Sequence, residues 1–162
     1  LVAKRCQAPV QMRSGLSAVD YGEWTGLTPA EVDKFFPGDR RRWESEPDWC
    51  EHDGESWRAL VDRQCTTFEE ILTSSQTQNA RSVVIVGHQS TCRSIAAFVQ
   101  GMDQKAWASL NVPQGSLTCL SYRPDQSSPP KTLKEQTTLQ YLGLTRKDFE
   151  PHFVPRSWTS RL

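Results

Sequence analysis

The clearest hydrophobic pattern in the sequence is a strand followed by a helix. Residues 82–86 form a β-branched apolar run typical of a buried strand, and polar residues follow at once. The apolar spacing that begins near Arg93 predicts a helix ending near Gly101, and residues 116–122 predict a second strand. Two strands joined by a helix predict parallel pairing with a right-handed crossover.

Two more helices are predicted upstream of this unit. Thr28, Pro29 and Glu31 form a capping box, with proline at the first helical position, so a helix begins there and stops before the next Pro-Gly pair. From Trp57 to about Ser74 the apolar residues recur with a period of about 3.6 residues, which predicts a long amphipathic helix. This helix is expected to cover one face of the sheet.

The rest of the chain predicts little regular structure. Residues 9–12 suggest a short strand, residues 124–131 have the composition of a linker, and about thirty residues after them show only a weak helical pattern. We therefore divide the chain into a domain of residues 1–123 and a linker and tail of residues 124–162. Because sheets average roughly five or six strands, this sheet is expected to need strands that the chain does not supply.

Composition narrows the class of protein. The chain has 162 residues, a formal net charge of zero and a mean hydropathy of −0.60, which argues against a nucleic-acid-binding protein and against a membrane span. Its five cysteines are scattered without a Cys-x-x-Cys pair, so we expect free thiols in the cytoplasm or another reducing compartment. Residues 1–5 read as the end of a helix already under way, so we expect further sequence upstream.

The residues between the predicted strand and its helix suggest an anion site. His88 follows the strand directly and Arg93 comes five residues later, where the carboxyl end of a strand meets the first turn of a helix. Arginine suits phosphate oxygens, and imidazole can hold an oxyanion or exchange a proton. Gln89 would either bond a sugar or phosphate oxygen or simply start the helix. A structural histidine and a surface arginine are the alternatives.

Three motifs together resemble those of the histidine phosphatase (phosphoglycerate-mutase-like) superfamily. They are Gly-His-Gln at residues 87–89 with Arg93, Asp-Gly-Glu-Ser-Trp at residues 53–57 and Asp-Tyr-Gly-Glu-Trp-Thr-Gly at residues 20–26. The His-Gln pair and residues 110–113 look most like the fructose-2,6-bisphosphatase branch. The resemblance implies an α/β three-layer sandwich with a mostly parallel sheet, here lacking its N-terminal strands.

The resemblance also implies roles for single residues. His88 matches the second catalytic histidine, which contacts the transferring phosphoryl group, and Arg93 would stabilise charge on the same oxygens.

Other side chains are candidates for substrate binding beside this pair. Glu55 matches a residue of the active-site rim, and Arg63 matches the spacing that follows it, although an ion pair of Arg63 with Asp62, Asp20 or Glu23 is slightly preferred. Asp20 and Glu23 are further candidates for substrate binding, and either could stand in as a proton donor.

Several departures from the family pattern are expected to matter. The nucleophilic histidine of an Arg-His-Gly segment is absent, because none of the three histidines follows an arginine. Ala18 stands where the general acid is usual, two residues before Asp20, and a methyl group cannot protonate a leaving alkoxide. Glu51 and Asp53 stand where the bisphosphatase branch carries basic residues, and would repel a second phosphate.

Two functions remain open from the sequence. The first is hydrolysis of a phosphomonoester, such as a phosphosugar, through a phosphohistidine whose nucleophile lies outside these residues, without a metal or organic cofactor. The second is a catalytically degenerate member that serves as a structural or binding subunit of a larger assembly. Protein partners could bind the tail through Tyr141, Phe149, Phe153 and Trp158, although packing in the chain's own core is the preferred use of these side chains. An α/β-hydrolase elbow is disfavoured because Gln89 occupies the position of the serine.

Overall fold

The computed structural model describes residues 2–77, 80–124 and 132–149. In these ranges the helices are α1 (Val2–Cys6), α2 (Pro29–Phe35), α3 (Asp39–Ser45), α4 (Trp57–Thr77), α5 (Gln89–Gln100), α6 (Gln104–Ser109) and α7 (Leu133–Gln136). The strands are β1 (Leu117–Tyr122) and β2 (Thr137–Leu144), and short 3-10 turns occupy Ser14–Leu16, Gly22–Trp24 and Arg146–Phe149. No described helix has the length and apolar character that crossing a membrane requires.

The predicted helix boundaries are confirmed by their caps. Thr28 Oγ1 accepts from the Glu31 amide at 3.3 Å while the Glu31 carboxylate accepts from the Thr28 amide at 2.8 Å, which completes the capping box of α2. The long helix α4 begins where Ser56 Oγ accepts from the Ala59 amide at 3.2 Å. Helix α5 ends at Gly101, whose φ of 68° suits a residue without Cβ.

Helices α4 and α5 pack against each other and form the centre of the molecule. Their shared face buries Phe68, Ile95 and Val99. A second apolar cluster joins α4 to the loops before it and is dominated by indole rings, with Trp24, Trp43, Trp49, Trp57 and Trp107 among its members. Both clusters exclude water from the α4–α5 contact, so these two helices are the rigid frame on which the surrounding loops are mounted.

The sheet differs from the expected one. Strands β1 and β2 pair antiparallel, with Tyr122 opposite Thr137 and Leu117 opposite Leu144, and no parallel pair occurs among the described residues. The prediction that residues 82–86 pair in parallel with residues 116–122 is therefore wrong. The weak helical pattern predicted after residue 131 is also wrong for residues 137–144, because β1 supplies them with a strand partner.

Residues 82–86 are extended but belong to no described sheet. Ile85 packs against the α4–α5 cluster, while Val84 and Val86 are 68% and 83% exposed. Residues 9–12 likewise form no strand, and Met12 is 91% exposed. A strand needs hydrogen-bonding neighbours, and the described residues offer none here. The described part of the chain is thus α/β with a small antiparallel sheet, and it does not contain the expected mostly parallel three-layer sandwich.

The tail is described only in part. Residues 125–131, most of the predicted linker, and the side chains of Phe149, Phe153 and Trp158 lie outside the described residues. Tyr141 lies on β2 and is half exposed. The exposure of Tyr141 does not test the prediction that the tail binds a protein partner.

The core holds one histidine whose ionisation should matter for stability. His52 is 1% exposed and stacks on Trp24 with ring centroids 4.0 Å apart and on Trp49 at 5.6 Å, and neither ring nitrogen has a hydrogen-bond partner. Burial lowers the pKa of His52 below its ordinary 6.5, against the opposing charges of Asp20, Asp39 and Glu23. The neutral imidazole is the form that the core accepts.

We expect acidification to destabilise the fold through His52. Since its folded pKa is depressed, the unfolded chain binds the proton more readily, and the stability present above pH 6.5 is lost as the pH falls through the folded pKa. Urea unfolding followed by tryptophan fluorescence should show a larger loss from pH 7.5 to pH 5.5 in the wild-type protein than in His52→Phe. Equal losses in both proteins would contradict this assignment.

Candidate functional site

The loop that carries Ala18 is fixed by hydrogen bonds from α4 and α5. Arg63 Nη1 donates to the carbonyl oxygen of Gly15 at 2.8 Å, and Arg63 Nη2 donates to that of Ala18 at 3.3 Å. Gln64 Nε2 donates to Ser17 O at 2.9 Å, and the Thr91 hydroxyl of α5 donates to Leu16 O at 3.1 Å. Polar side chains of two helices thus satisfy consecutive carbonyl groups of one loop.

Glu55 joins this loop to the segment before α4. Its two carboxylate oxygens accept from Arg63 Nε at 3.1 Å and Nη2 at 2.7 Å, a bidentate ion pair with both side chains largely buried. One of these oxygens also accepts from the Asp20 amide at 3.0 Å, and the Glu55 amide donates to Asp20 O at 2.9 Å. The expected ion pair of Arg63 exists, but its partner is Glu55 rather than Asp62, Asp20 or Glu23.

Two glycines allow the motif loops to touch through their backbones. A Cβ at Gly22, whose φ is 49°, would overlap the carbonyl oxygen of His52, and one at Gly54 would lie 2.5 Å from Asp20 O. The Glu23 amide donates to His52 O at 2.8 Å across the same crossing. Glycine is required at both positions because the two backbones occupy the space that a side chain would need.

The predicted tip residues lie at the start of α5. His88 is the N-cap residue and is exposed, and its side chain makes no capping bond. Gln89 Nε2 donates to Val112 O at 2.8 Å, and Arg93 Nε donates to Leu110 O at 2.8 Å. The guanidinium of Arg93 also lies over the Trp107 ring, 5.7 Å from the centroid. Gln89 and Arg93 therefore hold the segment after α6 against the first turns of α5.

A cavity of about 430 Å³ brings these residues together. It is lined by His88, Gln89 and Arg93, by Ala18 and Tyr21 from the motif loop, and by residues 112–116. Burial raises the pKa of the Tyr21 phenol, while the charge of Arg93 acts to lower it. The cavity thus offers one cation, one imidazole and one phenol to a ligand.

A second cavity of about 700 Å³ shares Ala18 with the first. Asp20, Glu55 and Arg63 line this cavity and do not line the first, and Glu23 lines neither. The seven candidate residues therefore separate into a group of three around His88 and a group of three around Arg63, with Glu23 apart. No cluster of three His, Cys, Asp or Glu side chains fit to hold a metal ion occurs in the described ranges.

Sequence reasoning missed Tyr21 as a lining residue of the first cavity. It stands inside the Asp-Tyr-Gly motif of residues 20–22, but nothing in the periodicity shows on which side of the loop its ring lies. The ring is placed by contact with Trp43, whose centroid is 6.1 Å away. This is a long-range contact that a single sequence does not reveal.

Comparison with known families decides the classification. The family profile described as histidine phosphatase superfamily (branch 1) matches residues 1–132. This chain belongs to the histidine phosphatase superfamily. The match covers most of its length and includes all three motifs, so the predicted superfamily is confirmed.

Two curated relatives are similar to this chain over part of its length. It is 31% identical to a glucosyl-3-phosphoglycerate phosphatase of Mycolicibacterium vanbaalenii over 107 residues, 64% of this chain and 48% of the relative. It is 33% identical to phosphoserine phosphatase 1 of Hydrogenobacter thermophilus over 92 residues, 56% of this chain and 42% of the relative. The chain spans about half the length of the curated relatives it matches. These matches do not specifically support the fructose-2,6-bisphosphatase branch.

Solved structures show the same fold. A mycobacterial glucosyl-3-phosphoglycerate phosphatase superposes with a TM-score of 0.71 at 23% identity, covering 89% of this chain and 69% of that one. The α-ribazole phosphatase of Shigella flexneri superposes with a TM-score of 0.66 at 21% identity, covering 88% and 65%. At these identities the likeness establishes the fold alone.

We expect Arg63→Lys to destabilise the histidine phosphatase domain by about 2 kcal/mol, because lysine cannot form the fork to Glu55 and also reach the loop carbonyls. The matched control is Arg58→Lys, which alters an exposed pair with Asp48 and should cost less than about 1 kcal/mol. Urea unfolding of both variants measures the difference. Similar small losses would mean that the buried ion pair does not fix the loop.

Proposed function

We propose that this chain is part of a phosphomonoester hydrolase that transfers the phosphoryl group to a histidine supplied from outside the 162 residues. The observation that carries the proposal is the shared cavity of His88 and Arg93 at the start of α5. A cation, an imidazole and the N-terminus of a twelve-residue helix all favour an anion at this point.

The two side chains would have distinct roles. Arg93 uses Nε to bond Leu110 O at 2.8 Å, which fixes its orientation and keeps both terminal nitrogens for phosphate oxygens. His88 would donate a hydrogen bond to a phosphoryl oxygen as negative charge builds there in the transition state. Gln89 would act indirectly, because its hydrogen bond to Val112 O holds part of the cavity wall in place. The nucleophile would approach from the side that these residues leave open.

The exposed segment of residues 82–86 supports a nucleophile on a neighbouring strand. Val84 and Val86 are apolar side chains in water beside an extended backbone that has no strand partner among the described residues. A strand inserted here would cover both valines and satisfy the backbone, and would end beside His88. The relatives extend well beyond the part that this chain matches, which leaves length for such a strand.

The substrate is proposed to be a small phosphorylated metabolite, such as a phosphosugar. Relatives are named for glucosyl-3-phosphoglycerate and for phosphoserine, which share a phosphomonoester and an acidic remainder. The expected repulsion by Glu51 is weakened, because Glu51 lies 3.6 Å from Arg42, and neither Glu51 nor Asp53 lines the cavity. Roles of Asp20, Glu23, Glu55 and Arg63 in substrate binding remain proposals of lower rank, since none of them lines the His88 cavity.

A catalytically inactive subunit is the second candidate. Ala18 at the usual position of the general acid, the acidic pair Glu51 and Asp53 and the absence of an Arg-His-Gly segment favour it. The relatives are named as phosphatases, so the comparisons do not support it. The boundary between a domain of residues 1–123 and a tail of residues 124–162 stays a proposal, as does a reducing compartment for the five free cysteines.

The proposal is tested with the complete protein and 4-nitrophenyl phosphate. His88→Gln and Arg93→Gln should each lower kcat about a hundredfold or more, since the amide of glutamine is a weaker and differently placed donor to the transferring group than imidazole or guanidinium. The matched control is Arg40→Gln, which removes a surface cation paired with Asp33 and should leave kcat unchanged. Quenching the reaction should trap a phosphoprotein that is labile to acid and stable to base, as phosphohistidine is.

Residues 1–162 alone should show no turnover above background. Turnover by this chain with phosphohistidine formation would contradict the need for an outside nucleophile. Full activity of His88→Gln in the complete protein would contradict the site itself.

A further inference from the structure

The cavity that holds His88 and Arg93 is lined by Cys92, whose thiol is hydrogen-bonded with Thr118, and by one aromatic group able to give up a proton to a substrate oxygen. That group is the phenol of Tyr21, which is 45% exposed and lines the cavity beside Ala18. Its backbone belongs to the turn that crosses the His52–Gly54 segment, so the ring is carried by a fixed loop. Packing against Trp43 at 6.1 Å limits where the ring can move.

The carboxylates near this cavity are engaged elsewhere. Asp20 Oδ1 accepts from the Gly22 amide at 3.0 Å, and Asp20 lines the second cavity. Glu55 is taken by Arg63 and the Asp20 amide. Among the described residues that line the His88 cavity, none is Asp or Glu, and position 18 presents a methyl group.

We propose that the Tyr21 hydroxyl is the proton donor to the leaving-group oxygen, in the place where Ala18 cannot act. This inference rests on the phosphatase function proposed above. It assigns to Tyr21 a role in the chemical step, not only in binding, and it extends the reaction to esters whose alcohols are weak acids.

The proton balance closes over two steps. In the first, the phosphorus–oxygen bond of the ester breaks as the imidazole nitrogen of the outside histidine takes the phosphoryl group. The electron pair stays on the leaving oxygen, which takes the Tyr21 proton and departs as the alcohol. In the second, water attacks the phosphohistidine and gives a proton to the Tyr21 phenolate, releasing inorganic phosphate and restoring both side chains.

Burial and charge act in opposite directions on Tyr21. Burial raises the pKa of the phenol, which is protonated at neutral pH. Arg93 opposes that shift, because its positive charge stabilises the phenolate, so the form left after proton donation has a counter-charge in the same cavity. Phenols are among the side-chain groups that serve as general acids.

The test compares two esters in the complete protein. Glycerol 3-phosphate releases an alkoxide that needs a proton, whereas 4-nitrophenyl phosphate releases an anion that leaves without one. Tyr21→Phe should lower kcat for glycerol 3-phosphate about a hundredfold or more, with KM nearly unchanged, and should alter kcat for 4-nitrophenyl phosphate far less. Phenylalanine keeps the ring and its packing on Trp43, so the change is confined to the hydroxyl.

A second substitution supplies the rescue and its control. Ala18→Glu in the Tyr21→Phe background should restore turnover of glycerol 3-phosphate, because residue 18 lines the same cavity. Ala18→Gln, of the same size but unable to donate an acidic proton, should not. Equal losses on both esters, or a rise in KM alone, would overturn the proton-donor role and leave the phosphatase proposal standing. No turnover of either ester by the unaltered protein would remove both.

Discussion

The guanidinium of Arg63 is the interaction on which the arrangement of the site depends. It holds Glu55 through two hydrogen bonds and the carbonyl oxygens of Gly15 and Ala18 through others, so one side chain of α4 connects both motif loops. A charged group with several donors suits this position, because each carbonyl would otherwise lose a partner in a half-buried place. Arg63 therefore fixes the Ala18 loop and does not line the His88 cavity.

Much of the helical frame could be predicted from sequence, because its signals are local. The capping box at Thr28, the cap at Ser56 and the glycine end of α5 each depend on residues within one turn of each other. Strand pairing is a different matter. Residues 82–86 carry a stronger strand pattern than residues 137–144, yet only the latter find a partner, since β1 lies beside them. The periodicity of apolar residues shows which face of a segment is apolar. It does not show which other segment lies close enough to pair with its backbone.

The site shows the same division between local and distant information. The motifs located His88, Gln89 and Arg93 at the start of α5, and the structure brings all three to one cavity. The motifs did not show that Asp20 and Glu55 line a different cavity, which shares only Ala18 with the first. That separation follows from the Arg63 and Gln64 hydrogen bonds, which join residues more than forty positions apart.

The half of the site described here does not depend on the sheet for its geometry. Its walls are the first turns of α5, the segment held by Arg93 and Gln89, and the loop held by Arg63 and Thr91, all mounted on the packed pair α4 and α5. The β1–β2 sheet touches this frame through apolar side chains such as Leu120. A strand added beside residues 82–86 would thus meet a cavity that is already formed. Ordering of the cavity walls would not have to be coupled to strand insertion, which lowers the entropic cost of adding the strand.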